Sequence, residues 1–191
     1  MEYYVVKYTG PFGFIKPWTA VRDGETYSQQ FITPSIVEGI EKKLFPELLA
    51  KSGCICKIAR HRLLYKVMDM QQEQTHARGW EEKKKEQRLI RERSIIKRGV
   101  LLEPILYLAF RTKEDAEIAS QQHICLCRNE DVLMPDAEVW SCSEEEFNAM
   151  DGFELHFEQT ESSFLVGYNR YDNTPMYGWL EVKGKPVEGL L

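Results

Sequence analysis

The chain has 191 residues, 43% of them hydrophobic and 12% aromatic, enough to fill a core and to set disorder aside. No apolar run approaches the roughly 18 residues of a membrane-spanning helix. The start, MEYYVVKY, lacks the basic region of a signal peptide, so a cytoplasmic protein with five reduced cysteines is expected.

Residues 3–9, YYVVKYT, are β-branched and aromatic and predict a strand, broken by Gly10-Pro11-Phe12-Gly13. Residues 14–30 read as irregular, with a turn at Asp23-Gly24. A helix should open at Thr33-Pro34-Ser35: Thr33 can cap it, and Pro34 loses nothing at the first helical position. Ile36, Val37, Ile40, Leu44 and Leu48 then share a stripe. That helix should end by Leu49–Ala50, before Ser52-Gly53, unless Pro46 stops it earlier. Residues 54–67 predict one long strand, 68–98 a polar protruding segment, and 99–111 a buried strand. A short helix over 113–120 follows, then short strands near 123–128, 136–141, 153–159, 163–169 and 176–183. Ser143 and Glu146 form a capping-box pattern for a helix over 143–150.

The order strand, helix, strand, protrusion, strand, short helix, strand predicts an α+β chain with a ferredoxin-like half. Residues 1–135 would form that domain, including a protrusion at about 68–98. Residues 136–191 would be a β-rich extension packed on it. The same half-fold carries the RNA-recognition motif, whose open sheet face binds single-stranded RNA.

Charge is unevenly distributed. The net charge is −5, yet residues 1–112 carry about +7 and residues 113–191 about −12. Eight of the 25 Lys and Arg lie in residues 83–98, KKKEQRLIRERSIIKR, against two acids. A local field of that sign suits a phosphate backbone; the bland reading is a solvated charged helix. Lys83, Lys84, Lys85, Arg88, Arg91, Arg93, Lys97 and Arg98 are the candidate phosphate contacts. Leu89, Ile90, Ile95 and Ile96 are candidate anchors, and Trp80 a base-stacking platform. Arg60, Arg62 and Lys66 would add charge from the neighbouring strand. Phe12, Phe14, Lys16 and Trp18 are weaker candidates in the first loop.

Two CxC pairs, Cys54/Cys56 and Cys125/Cys127, read as core thiols on strands rather than as a zinc site. No histidine stands at a metal or triad spacing. His61 and His76 lie among basic or polar residues, whereas His123 and His156 read as structural. No phosphate-cradling loop or hydrolase signature occurs. No metal or other cofactor is expected.

Four segments in order resemble a known family: GPFGF at 10–14, TPSIVEGI at 33–40, RLIRERSIIKRGVLLEPILYLAF at 88–110 and CLCRNEDVL at 125–133. They are similar to the fifth CRISPR-associated (Cas) protein family, ferredoxin-like members of the RAMP superfamily in type I surveillance complexes. The resemblance implies a subunit that grips the five-prime handle of CRISPR RNA and caps the backbone filament. Its partners would be CRISPR RNA, an adjacent backbone subunit, a large subunit and, through the complex, target DNA, with no membrane. It also implies that residues 68–98 are a thumb, a β-hairpin packing on the next subunit and folding over RNA. The acidic C-terminal half should then face solvent or a basic large subunit.

One branch of that family is a metal-independent endoribonuclease with a tyrosine near the end of the first helix and a later Lys-His pair. Here that tyrosine position holds Phe45, the helix at 113–120 has no such pair, and Glu38 stands where arginine is common. A non-catalytic subunit is therefore expected, although Tyr65 or His61 could in principle substitute. The alternatives are the handle-cutting enzyme and a module whose basic arm binds an acidic protein.

Overall fold

The computed structural model describes residues 1–17, 24–51, 53–76, 79–85, 87–169 and 171–189. Trp18, the turn residue Asp23 and Ser52 lie outside the described residues. In chain order the strands and helices are β1 Glu2–Thr9, β2 Phe12–Gly13, β3 Glu25–Tyr27, α1 Pro34–Leu44, β4 Ile58–Leu64 and β5 Val67–His76. Then come β6 Glu81–Lys83, β7 Arg88–Ile90, β8 Arg93–Leu102, β9 Ile105–Phe110 and α2 Lys113–Ala119. The chain continues through β10 Ile124–Cys125, β11 Val132–Pro135, β12 Trp140–Ser143, α3 Glu144–Ala149, β13 Gly152–His156, β14 Phe164–Tyr168 and β15 Pro175–Lys183. This is an α+β architecture whose strand pairs are antiparallel apart from β3 on β8 and one isolated bridge, Tyr65 to Val187.

The main sheet runs β10-β11-β1-β9-β4-β13-β15-β14, with β12 pairing β1 beside β11. Alternation along β1 decides what each face buries. Val6 and Tyr8 point to one face with Leu106, Leu108, Phe110 and Leu63, where Ile40 and Leu44 of α1 and Ala116 and Ala119 of α2 close the core. Tyr8 donates its hydroxyl to the Ala119 carbonyl at 2.7 Å and ties α2 down. Tyr3, Val5 and Ala109 point the other way, onto Phe147 of α3. The sheet continues across residues 135 and 136, since β12 pairs Glu2 to Val5 of β1 and β13 joins β4 at Phe153 and Leu63.

A second, smaller sheet is built on β8. Its ten residues pair with the whole of β5, from Val67 opposite Leu102 to His76 opposite Arg93. β6 and β7 extend this two-stranded ribbon at its far end. Leu101 and Val100 at the base are buried, while most residues of the outer half are exposed. β2 pairs the base of β8, and β3 pairs its middle. A side chain at Gly99 would collide with the Tyr27 ring, so this glycine lets β3 lie against the ribbon.

Several local expectations need correction. Pro46 does end α1: the helix stops at Leu44, and a short 3-10 turn, Pro46–Leu48, follows. Thr33 is the N-cap in position only, because its hydroxyl makes no capping bond and its carbonyl serves Ile36 and Val37 instead. The expected strand at 54–67 is only Ile58–Leu64; its last residue, Val67, already begins the ribbon. The apolar run at 99–111 is two strands in two sheets, broken where Glu103 takes a left-handed φ of 47° before Pro104. β3 lies in a stretch expected to be irregular, and β11 falls between two expected strands. The CxC cysteines are not core thiols: Cys54, Cys56 and Cys127 are exposed, Cys125 is half-buried, and only Cys142 is buried. Cys54 and Cys56 precede β4, so no strand turns them inward.

Candidate nucleic-acid interface

Cross-strand pairing divides the ribbon's cations between two faces. On one face Arg93, Ile95 and Lys97 stand opposite His76, Gln74 and Gln72, and all six are exposed. None of the six is a carboxylate, but Glu25 of β3 pairs beside Lys97 on the same face. The other face presents Arg98 opposite Gln71, and its guanidinium Nε donates to Glu73 at 2.9 Å. Arg98 also lies 5.2 Å from the buried Phe14 ring, as does Arg128. Arg128 is held by Asp131 at 2.6 Å and reaches Gln71 at 3.4 Å. Two guanidiniums on one ring thus fasten the ribbon to the body. Arg128 was missed from the sequence; its local signal is the acid three residues on.

At the ribbon's end Lys83 pairs with Arg88 across β6 and β7, and Lys84 and Lys85 are exposed beyond them. Exposed Glu81 and Glu82 precede the lysines on β6 and moderate the field. Arg91 lies 5.4 Å from the Trp80 ring, which is 62% exposed. Trp80, His76, Arg88, Arg91 and Arg93 line an open groove of about 690 Å³, with one acid, Glu92, among them. An aromatic face among cations is the arrangement that takes a base and its phosphate together. Leu89 and Ile95 are more than 60% exposed, which leaves apolar area beside the charges.

The remaining expected cations lie elsewhere. Lys66, at the foot of the ribbon, pairs with Glu103 at 2.7 Å. Lys16 is exposed beside Cys127. Phe12 is half-buried in β2. Arg60 and Arg62 point away from α1 and α2 into a charged network under α3. Arg60 grips Glu154 with Nε at 2.6 Å and Nη2 at 2.7 Å. Arg62 has no exposed surface; its Nη2 donates to Glu154 at 2.9 Å and Glu181 at 2.8 Å, and its Nη1 to the Met150 carbonyl at 2.7 Å. Both guanidiniums stack near Phe147. Burial opposes ionisation of Glu154, but the Arg60 hydrogen bond and the surrounding positive charge more than reverse it and hold the carboxyl below its usual range. Glu154, His156 and Glu181 could together ligate a cation. Arg62 already occupies the space between the two carboxylates.

The residues bearing on catalysis are buried, although Tyr65, Glu38 and His61 each line a surface cleft. Phe45 is buried against Phe110, with Lys57 Nζ 4.3 Å from its ring. Glu38 is buried and accepts from Lys42 at 2.7 Å and from the Gly53 amide at 3.1 Å. His61 is 3% exposed and stacks on Phe157, and its Nε2 has no hydrogen-bond partner among the described residues. Burial drives its pKa down to about 4. Tyr65 is 3% exposed, and burial raises its pKa.

No protein-family profile matches the chain. No curated protein matches it. Among solved structures, a chain of a "CRISPR RNA-guided surveillance complex" is similar, with a TM-score of 0.53 and 10% identity over 98% of this chain and 93% of that one. The likeness shows a shared fold over nearly the whole length. No helix among the described residues is long and apolar enough to cross a membrane.

Proposed function

We propose that this chain is a non-catalytic, RNA-binding subunit of a CRISPR RNA-guided surveillance complex, in the cytoplasm. It would be a ferredoxin-like RAMP protein of the fifth Cas family that holds the five-prime handle of CRISPR RNA and caps the backbone filament. The observation that carries this reading is the exposed ribbon bearing Lys83, Lys84, Lys85, Arg88, Arg91, Arg93 and Lys97 around Trp80. The sheet order supports the fold assignment: the strand region after α2 lies beside β1, then come β9 and β4, with α1 and α2 on one face. The similar chain, by its title part of such a complex, supports the functional class.

Direct RNA contact falls to the ribbon, with Lys16 and Lys66 near its base and Arg98 anchoring it. Arg60 and Arg62 act within the fold. Exposed Leu89 and Ile95 suit a contact with the adjacent backbone subunit. The acidic residues after 113 suit solvent or a basic large subunit. Phe45, which has no hydroxyl, α2, which has no Lys-His pair, and the burial of His61 and Tyr65 support non-catalytic behaviour.

The test incubates the protein with CRISPR repeat RNA in EDTA. Retention of intact RNA, weakened steeply by salt, is the expected result. Cleavage at one site would refute the non-catalytic reading. Equal affinity for RNA and an unrelated acidic polymer would refute handle recognition.

A further inference from the structure

Two exposed cysteines outside the ribbon are held in mutual contact: the Sγ atoms of Cys54 and Cys56 lie 3.4 Å apart. Their loop is pinned from α1. The buried Glu41 carboxylate accepts the backbone amides of three successive residues, Cys56, Lys57 and Ile58, at 2.5 to 3.0 Å. Glu38, one turn earlier, accepts the Gly53 amide at 3.1 Å. Gly53 takes a left-handed φ of 75°, which turns the chain into the loop without a Cβ penalty. The loop is thus fixed on both sides of the two thiols.

We propose that Cys54 and Cys56 form a redox-active dithiol that closes to a disulfide within the loop by exchange with a low-molecular-weight disulfide. One thiolate of the pair attacks one sulfur of the small disulfide, forming a mixed disulfide and releasing one small thiolate. The other thiol then loses its proton and attacks the protein sulfur of the mixed disulfide, closing the ring and releasing the second small thiolate. Two protein thiols are oxidised, one small disulfide is reduced to two thiols, and the two protons go to the leaving sulfurs. The contact itself is symmetric, since either sulfur can be the donor, so either thiol can attack while the other resolves.

The chain carries its own control. Cys125 and Cys127 have the same spacing but different surroundings. The Cys125 thiol is half-buried and directed at the Asn129 carbonyl at 3.7 Å. If spacing alone made the dithiol reactive, the two pairs would behave alike.

The full chain, reduced and then equilibrated with mixtures of reduced and oxidised glutathione, is alkylated and digested with trypsin. Cleavage after Lys51 and Lys57 places Cys54 and Cys56 in one peptide, 52–57, and cleavage after Lys113 and Arg128 does the same for the control pair. The expected result is loss of two hydrogens and of both alkylation sites in 52–57 at ratios where the control peptide is still doubly alkylated. Cys56→Ser and Cys54→Ser should each trap glutathione on the cysteine that remains, since neither variant can close the ring. Full alkylation of 52–57, glutathione on both sulfurs without closure, or oxidation in step with the control pair would each overturn the proposal.

Discussion

His61 gives the sharpest test of the reasoning, because its burial turns pH into a measure of access. Its ring is buried between β4 and Phe157, near Glu154, His156, Arg60 and Arg62, and its pKa falls from 6.5 to about 4. A depressed pKa means the unfolded chain binds the proton first. The stability contribution is complete above pH 6.5, declines as pH falls from 6.5 towards 4, and is wholly lost below 4. At about 1.4 kcal/mol per pH unit, the shift is worth about 3 kcal/mol, half of it gone near pH 5.3. Urea midpoints of the wild type and His61→Leu, followed from pH 7.5 to 4.5, isolate this one group. By pH 4.5 the wild type should have lost most, about three quarters, of that amount relative to the variant. Parallel profiles would refute the burial argument. They would also reopen His61 as a base for RNA cleavage, since an imidazole that titrates normally is reachable by solvent.

Glu154→Gln should destabilise the fold by about 3–5 kcal/mol, because it strips the charge that balances Arg60 and the fully buried Arg62. Arg62→Met, which removes a buried cation and keeps volume, should cost markedly less than Glu154→Gln; denaturant midpoints that reverse this order would refute the ion-pair account. Glu41→Gln removes a charged acceptor from three backbone amides and should cost about 2 kcal/mol by the same measurement. It should also speed hydrogen exchange at residues 56–58; unchanged protection there would show that Glu41 does not pin the loop.

Features that depend on neighbours in sequence were legible in the chain. The Ser143 and Glu146 capping box forms as expected, with both of its bonds present. The short helix opens at Lys113 and Pro46 stops the first helix, although the expected cap Thr33 makes no capping bond. Features that depend on distant partners were not. Arg60 and Arg62 on a strand look like surface cations until Glu154 and Glu181, about 90 and 120 residues away, arrive beside them. The apolar run through Glu103-Pro104 hid a change of sheet, because both halves are buried and periodicity cannot tell one core from another. Cys54 and Cys56 were misplaced by starting a strand four residues too early, and Cys127 by carrying one past the end of β10: alternation turns side chains inward only where pairing exists.

This difference between local and distant partners also separates two sets of cations that sequence reading had joined. A sheet of this topology with one face uncovered would present its strands to single-stranded RNA. Here α3 lays Phe147 on that face, and Glu154 engages the guanidiniums beside it. Cations neutralised inside the fold add little to the field felt by a phosphate. If the ribbon binds RNA as proposed, its exposed cations are the ones that would release counterions. Reversing Lys83, Lys84, Lys85 and Arg88 should therefore lower the slope of log affinity against log salt by roughly 3, at about 0.7 per phosphate contact on a single strand. The same change should move the unfolding midpoint hardly at all, since surface substitutions are usually within about 0.5 kcal/mol. Arg62→Met should do the opposite, changing stability and leaving the salt slope intact. A variant of the sheet network that changes the slope as much as the ribbon variant does would show that RNA reaches the sheet face after all.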